Sequence, residues 1–248
     1  MSSTNDKSAL FISDIHLSPN EPATAARFLA CLASIAAPAG AASSLTILGD
    51  LFDYWAGDDD LDDPFNARIV AALRALADSG VGIAFMAGNR DFLIGEAFAA
   101  AAGLVLLPDP CVREIAGEPS LLTHGDLLCT DDADYQRFRR QVRDPAWRSQ
   151  FLAKPLTARK AEIEALRARS EQEKKIKPQA IMDVNNEAVT SLLRQHQVRT
   201  LIHGHTHRQG RHTHIVAGNP CTRWVLGDWG ASRGTALNGS PAGWHFID

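Results

Sequence analysis

Five short polar clusters punctuate the chain, each after a run of strand-forming apolar residues: Asp14-Ile15-His16, Gly49-Asp50, Gly88-Asn89-Arg90-Asp91, His124-Gly125-Asp126 and Gly204-His205-Thr206-His207. A strand that runs into a polar tip places oxygen and nitrogen ligands along one sheet edge, and five such tips can enclose two divalent cations. One D-x-H or H-x-H triplet arises by chance in many chains. Five clusters in this order, each at a strand end, point to a dinuclear centre. Asp and His mix hard oxygen with borderline imidazole nitrogen, which suits Mn2+, Fe2+ or Zn2+. The i, i+2 spacing predicts that Asp14 and His16 lie on one side of an extended backbone. Gly49 lets the chain approach closely and frees the Asp50 carboxylate to bridge two ions. Asn89 adds a neutral oxygen; His124, His205 and His207 add nitrogens. Singly, Asp14 or Asp50 reads as a cap or turn residue, His124 as a core histidine, and 203–207 as a lone zinc or tag-like cluster.

The apolar pattern predicts strands over Ala9–Ser13, Leu45–Leu48 and Val81–Met86, with helices over Pro22–Ala37 and 64–79 between them. That alternation signals parallel βαβ units with ligands at the carboxyl ends of the strands. After Gly103, short strands at Leu104–Leu107, Cys111–Ile115 and Ser120–Thr123 deliver His124. Residues 132–196 read as helical, broken at Pro145, Pro155 and Pro178. Val198–Ile202 then returns to strand, and an antiparallel finish follows through Ile215-Val216, Thr222–Leu226 and Trp244–Ile247.

The chain of 248 residues is 45 % apolar, enough for one substantial core with an insertion. No stretch approaches the roughly 18 uncharged apolar residues of a membrane span. Met1–Ser8 lacks the apolar centre of a secretory leader, so a cytoplasmic location is expected. Four scattered cysteines read as reduced thiols. The net charge of −4 is unevenly spread: residues 137–177 carry thirteen Lys/Arg against five Asp/Glu. Such a segment suits an anionic partner, or it is a solvated helix face. Its apolar residues (Phe138, Val142, Trp147, Phe151, Leu152, Leu156, Ile163, Leu166) either pack ordinarily or form a slot for acyl chains. No interleaved aromatic platform supports nucleic-acid binding. The acids of Asp58–Asp60 and Asp62-Asp63 read as loop solvation.

The order D-x-H, GD, GN, H, GHxH resembles the calcineurin-like metallophosphoesterase superfamily. Longer strings (Ser13–Leu17, Gly49–Trp55, Gly88–Phe92, His124–Asp126 with Leu128–Asp132, Ile181–Asn185 and Ile202–Arg208) narrow the likeness to a branch acting in the lipid A pathway of Gram-negative bacteria. The resemblance implies an α/β fold: a four-layer α/β/β/α sandwich with its core in 1–132 and 181–248 and a helical cap inserted at 133–180. It implies one metal on Asp14, His16, Asp50 and His207 and a second on Asp50, Asn89, His124 and His205, with Mn2+ the expected ion. Asn89, Arg90 and His124 are expected to serve catalysis. Substrate contacts are expected at Asn89, Arg90, Asp132, Ser170, Lys174, Lys177 and His205. The implied reaction is water attack on the phosphorus nearest uridine in UDP-2,3-diacylglucosamine, giving UMP and 2,3-diacylglucosamine 1-phosphate. A monomer peripheral on the cytoplasmic face of the inner membrane is implied, without nucleic acid. Lys174 departs from the asparagine of one branch, and Arg208-Gln209 replaces the family's Arg-Pro.

Arg90 has a reading of its own. Many superfamily members carry His there, able to protonate an alkoxide leaving group. Arg keeps its proton and holds phosphate in a fork of donors, which favours a leaving group that needs no proton, such as the phosphate of a pyrophosphate. The alternative substrate is a soluble nucleotide; a degenerate binding scaffold is the alternative class.

Overall fold

The computed structural model describes residues 8–37, 42–176 and 179–247. Strands β1 (Ser8–Ile12), β2 (Ala42–Leu48), β3 (Gly82–Met86) and β4 (Val105–Leu107) run parallel in one six-stranded sheet. Strands β5 (Cys111–Ile115), β6 (Glu118–Leu122), β7 (Thr200–His203), β8 (Gly210–Val216) and β9 (Asn219–Val225) form a second sheet in the order β5-β6-β7-β9-β8. Strands β10 (Ala236–Ser240) and β11 (Gly243–Ile247) return to the first sheet, β10 antiparallel to β1. The helices are α1 (Pro22–Ala36), α2 (Pro64–Asp78), α3 (Glu96–Ala102), α4 (Ala133–Arg143), α5 (Pro145–Leu152), α6 (Leu156–Ile176) and α7 (Asn186–His196).

The period-2 alternation of the strands builds the layers. In β1, Leu10 and Ile12 face Phe28 and Leu32 of α1, whereas Phe11 faces the second sheet. In β6 and β7, Leu122 and Ile202 meet Phe11, Leu48 and Met86 between the sheets, whereas Leu121 and Leu201 pack on Val189 and Leu193 of α7. Helices α1–α3, the two sheets and α7 thus make the four layers. Each buried Leu, Ile or Phe adds about 1.5–3 kcal/mol of transfer free energy. Helix starts follow local chemistry: Pro opens α1, α2 and α5. Asp63, Asp132, Asp144 and Asn185 cap α2, α4, α5 and α7.

Three expectations need correction. The C-terminal finish is mixed, because β9 lies parallel to β7 and antiparallel only to β8. Helix α3 and strand β10 carry little apolar periodicity and went unforeseen. Asp58–Asp60 is no solvated loop. Asp58 accepts the Trp55 indole at 3.0 Å and the Phe98 amide at 2.9 Å, Asp59 pairs with Arg159, and Asp60 meets Lys160 at 2.7 Å.

That last contact bears on the basic segment. Arg139, Arg143, Arg159, Lys160 and Arg167 all reach acids of the sandwich: Asp109, Asp126, Asp59, Asp60 and Asp53. Much of its positive charge is spent inside the fold. Arg159 is only 2 % exposed, with its guanidinium against the Ala56 carbonyl and Asp59. Among the apolar residues, Val142 and Phe151 are buried and Phe151 joins the core beneath α1–α3, stacked 4.9 Å from Trp147, whereas Leu152 and Leu166 stay exposed.

Candidate metal centre

All seven predicted ligands lie at the carboxyl ends of β1, β2, β3, β6 and β7. The backbone enters the left-handed region at five of them: φ is 55° at Asp14, 53° at His16, 54° at Asp50, 68° at His205 and 58° at His207. Each such residue costs about 1–3 kcal/mol, and such strain clusters at functional sites. The expected extended stretch at Asp14–His16 is therefore corrected: left-handed turns at alternate residues, rather than a pleat, bring the two side chains to one place. The loops stay in register, with the amides of Asp14 and His16 donating to the carbonyls of Gly49 and Asp50 at 3.1 and 3.0 Å.

Close approach requires glycine. A Cβ on Gly88 would lie 2.1 Å from Asp50 Oδ1, and one on Gly49 would lie 2.5 Å from His124 Nδ1. Within this packing Asp50 sits between two groups, Oδ2 3.9 Å from His16 Nε2 and Oδ1 3.8 Å from His124 Nε2. Asp14 Oδ1 is 3.3 Å from His207 Nε2, which is itself 3.4 Å from His16 Nε2. Asn89 Oδ1 lies 3.0 Å from His124 Nε2 and 2.8 Å from His205 Nδ1. Ligand atoms of Asp14, His16 and His207, and of Asp14, Asp50 and His124, fall within 4.8 Å of one another.

This donor set fits divalent cations. Asp14 Oδ1 is buried with no hydrogen bond, and His207 Nε2 stands 3.3 Å from it. Asp14 Oδ2 is already held by the Ser13 hydroxyl at 2.6 Å and the His205 amide at 2.9 Å. His124 Nδ1 lies 2.8 Å from the Leu48 carbonyl, which places the ring proton there and turns the Nε2 lone pair inward. Burial pulls His124 down, but the charges of Asp50, Asp126 and Asp14 outweigh it and raise the imidazole to about 9. A field that favours a proton on Nε2 favours a divalent cation in its place. His16 and His205, lowered to about 4 and about 3 chiefly by burial, present free lone pairs at neutral pH.

Several supporting residues carried no sequence signal of their role. Asp91 is fully buried and accepts the amides of Gly88 at 2.8 Å, Leu51 at 2.7 Å, Asp50 at 3.3 Å and Phe52 at 3.4 Å, tying the second ligand loop to the third. Asp126, also fully buried, accepts the Tyr135 hydroxyl at 3.0 Å and is ion-paired with Arg139, whose Nε lies 2.9 Å away. Arg143 donates to the carbonyls of Ala87 and Gly88, next to Asn89. Asp109 accepts the Thr123 hydroxyl at 2.6 Å and Arg139 at 2.8 Å. Position beside a ligand was the only available clue for Asp91 and Asp126; nothing marked Asp109.

The expected substrate contacts divide. Arg90 follows Asn89, its amide donating to Asp50 Oδ1 at 2.8 Å, and its charge opposes protonation of His16. Asp132 is buried at the start of α4 and caps it through the Tyr135 amide at 3.0 Å; the Tyr135 ring packs 5.7 Å from that of His205. Ser170 lies half-buried on α6. The side chain of Lys174, and Lys177 altogether, lie outside the described residues. Among the described residues no helix is long and apolar enough to cross a membrane.

The calcineurin-like phosphoesterase family matches residues 8–209. A UDP-2,3-diacylglucosamine hydrolase of Aromatoleum aromaticum is 54 % identical over 222 residues, 90 % of this chain and 89 % of the relative. Relatives of the same name from Stenotrophomonas maltophilia and Escherichia coli are 47 % and 50 % identical, covering 95 % and 89 % of this chain and 96 % and 90 % of their own lengths. Matched over residues 8–209 and about half identical to these relatives, the chain belongs to the calcineurin-like phosphoesterases.

Proposed function

We propose that the protein is a metal-dependent hydrolase that cleaves the pyrophosphate of UDP-2,3-diacylglucosamine by water attack on the phosphorus nearest uridine. UMP and 2,3-diacylglucosamine 1-phosphate leave as products of a lipid A pathway step. The carrying observation is the convergence of Asp14, His16, Asp50, Asn89, His124, His205 and His207 in a chain 54 % and 50 % identical, over 90 % and 89 % of its length, to hydrolases named for that substrate. Asp14, His16, Asp50 and His207 would hold one ion; Asp50, Asn89, His124 and His205 would hold the other, Mn2+ being our assignment. Bound there, two cations supply an acidified water and neutralise charge on the phosphoryl oxygens.

The chain's own groups do the rest. Buried carboxylates and the Leu48 carbonyl keep His124 Nε2 aimed inward. Arg90 holds phosphoryl oxygens in a fork of donors and stabilises the charge that builds on them. Residues 133–180 would act as a cap, with Asp132 beside it, and Asp132, Ser170, Lys174 and Lys177 are the assigned contacts to the sugar phosphate, part of the apolar surface serving the acyl chains. In this reading the protein works as a monomer on the cytoplasmic face of the inner membrane.

Phosphorus NMR of the intact nucleotide lipid incubated with Mn2+ tests the proposal. UMP and the sugar 1-phosphate should appear, and chelator should abolish both. UDP as the nucleotide product, or turnover unharmed by removing the acyl chains, would reject the proposed bond or the lipid substrate respectively.

A further inference from the structure

Arg223 on β9 is 7 % exposed and lies between two imidazoles. Its Nε donates to His214 Nε2 at 3.1 Å, and its Nη1 stands 3.1 Å from Nε2 of His203, which is fully buried at the end of β7. A guanidinium has only donors. His203 Nε2 therefore accepts, and the ring proton sits on Nδ1, 2.8 Å from the Gly204 carbonyl oxygen.

That oxygen also accepts the Thr206 amide at 2.8 Å, closing the turn that carries His205 and His207 with φ of 68° and 58°. The Gly204 amide donates to the His124 carbonyl at 2.9 Å. There is no slack around this turn. A Cβ on Gly204 would lie 2.3 Å from Ser13 Oγ and 2.4 Å from Asp14 Oδ2, and one on Gly125 would lie 2.7 Å from His203 Nδ1. The His203 ring thus touches both histidine-bearing turns while contributing no ligand itself.

We propose that Arg223 is a positioning residue: by holding His203 in its Nδ1–H form, it fixes the Gly204–Thr206 turn that aims His205 and His207 into the metal centre. The proposal rests on reading those two histidines as ligands. It makes a prediction opposite in sign to simple electrostatics. Deleting a cation near a metal site should tighten metal binding by removing repulsion, whereas loss of positioning should weaken it.

Mn2+ titration followed by electron paramagnetic resonance, with the ring tautomer read from long-range proton–nitrogen correlations of labelled histidine, separates the two. Arg223→Met should lose the pure Nδ1–H signature of His203 and weaken Mn2+ binding about 10- to 100-fold, the scale of losing an outer partner of a metal ligand. Excess Mn2+ should restore much of kcat. Arg223→Lys, which still offers His203 a proton, should keep the tautomer and most of the affinity, and it serves if the Met variant fails to fold. Arg208→Met, which removes a neighbouring cation paired with Asp183, should cost no affinity. Unchanged or tighter Mn2+ binding in Arg223→Met, or loss of affinity with the tautomer intact, overturns the proposal. Failure of the unaltered protein to bind Mn2+ at all would instead remove the metal reading on which it rests.

Discussion

Asp91 lies directly behind Asp50: its Oδ1 accepts the Asp50 amide at 3.3 Å and the Gly88 amide at 2.8 Å, while Oδ2 takes the Leu51 amide at 2.7 Å. Burial and the Asp50 charge push the Asp91 carboxyl up to about 7, and the ring of backbone donors pulls the other way. Asn has the same shape but would turn an NH2 toward amides that need an acceptor. Asp91→Asn should therefore loosen the loops that carry Asp50 and Asn89, lowering Mn2+ affinity or kcat/KM by about 10- to 100-fold. Steady-state kinetics across a Mn2+ series checks this. Wild-type values would mean that the carboxylate does not shape the ligand loops.

Gly88 makes a steric prediction that involves no charge. An added methyl would sit 2.1 Å from Asp50 Oδ1, 2.4 Å from the Asp50 amide nitrogen and 2.8 Å from the Asp50 carboxylate carbon. Gly88→Ala should displace Asp50 and cut activity further than Gly117→Ala, where a Cβ meets nothing within 4 Å although φ is positive at 82°. Gly88 does not sit at positive φ, so its loss reports the clash, whereas Gly117→Ala carries backbone strain without a clash. Equal losses of activity in the two variants would contradict the geometry.

The arginines of α4 should stabilise the fold through Asp126 more than they bind ligands. Burial would raise that carboxyl, but Arg143, His124 and Arg139 outweigh it and hold it below the usual carboxylate range. Arg139→Met leaves Asp126 with Arg143 at 3.5 Å and the Tyr135 hydroxyl, so its cost should stay below the about 3–5 kcal/mol of a broken buried pair. The double variant with Arg143→Met should reach that range. Urea unfolding measures both, and additive small losses would argue against a shared network.

Cations that bind the folded chain alone must stabilise it. At roughly 100 times Kd a cation adds about 2.7 kcal/mol, and for a chain of this size each kcal/mol moves Tm by about 2–4 °C. Chelation should therefore lower Tm by several degrees, and His124→Ala should blunt the shift. Calorimetry with and without Mn2+ decides; identical melting curves would deny a folded-state cation site.

Much of this centre was legible because parallel strands concentrate their polar tips at one edge, so that Asp14, Asp50, Asn89, His124 and His205 could be read from strand-then-cluster order. The conformation that unites them was not legible. Asp14 and His16 look like an extended pair in one dimension, and only the packed loops force φ to 55° and 53°. Asp58–Asp60 misled for a similar reason: a run of acids reads as solvated until a distant Arg159 and Lys160 fold onto it. Pairings across about a hundred residues leave no periodicity to read. Helix α3, seven residues rich in alanine, lacked an apolar stripe long enough to register.

Arg90 bears on what the centre can cleave. Its amide is fixed on Asp50 Oδ1 and its carbonyl accepts the Trp55 amide at 3.2 Å, so the side chain starts from a rigid point beside the Asp50 carboxylate. A guanidinium does not surrender its proton near neutrality, whereas an imidazole does. Arg90→His should thus lower kcat/KM for the pyrophosphate, where charge stabilisation matters and the leaving phosphate needs no proton. It should lower turnover of an alkyl phosphodiester less, or raise it, because a protonated His can assist a departing alkoxide. The ratio of diester to pyrophosphate turnover is the quantity to measure, followed against pH. In the variant the diester rate should acquire a limb that falls as pH rises through the imidazole pKa, since only the protonated form donates. A ratio that stays flat, or that moves toward the pyrophosphate, would mean that leaving-group protonation is not what distinguishes Arg from His at this position.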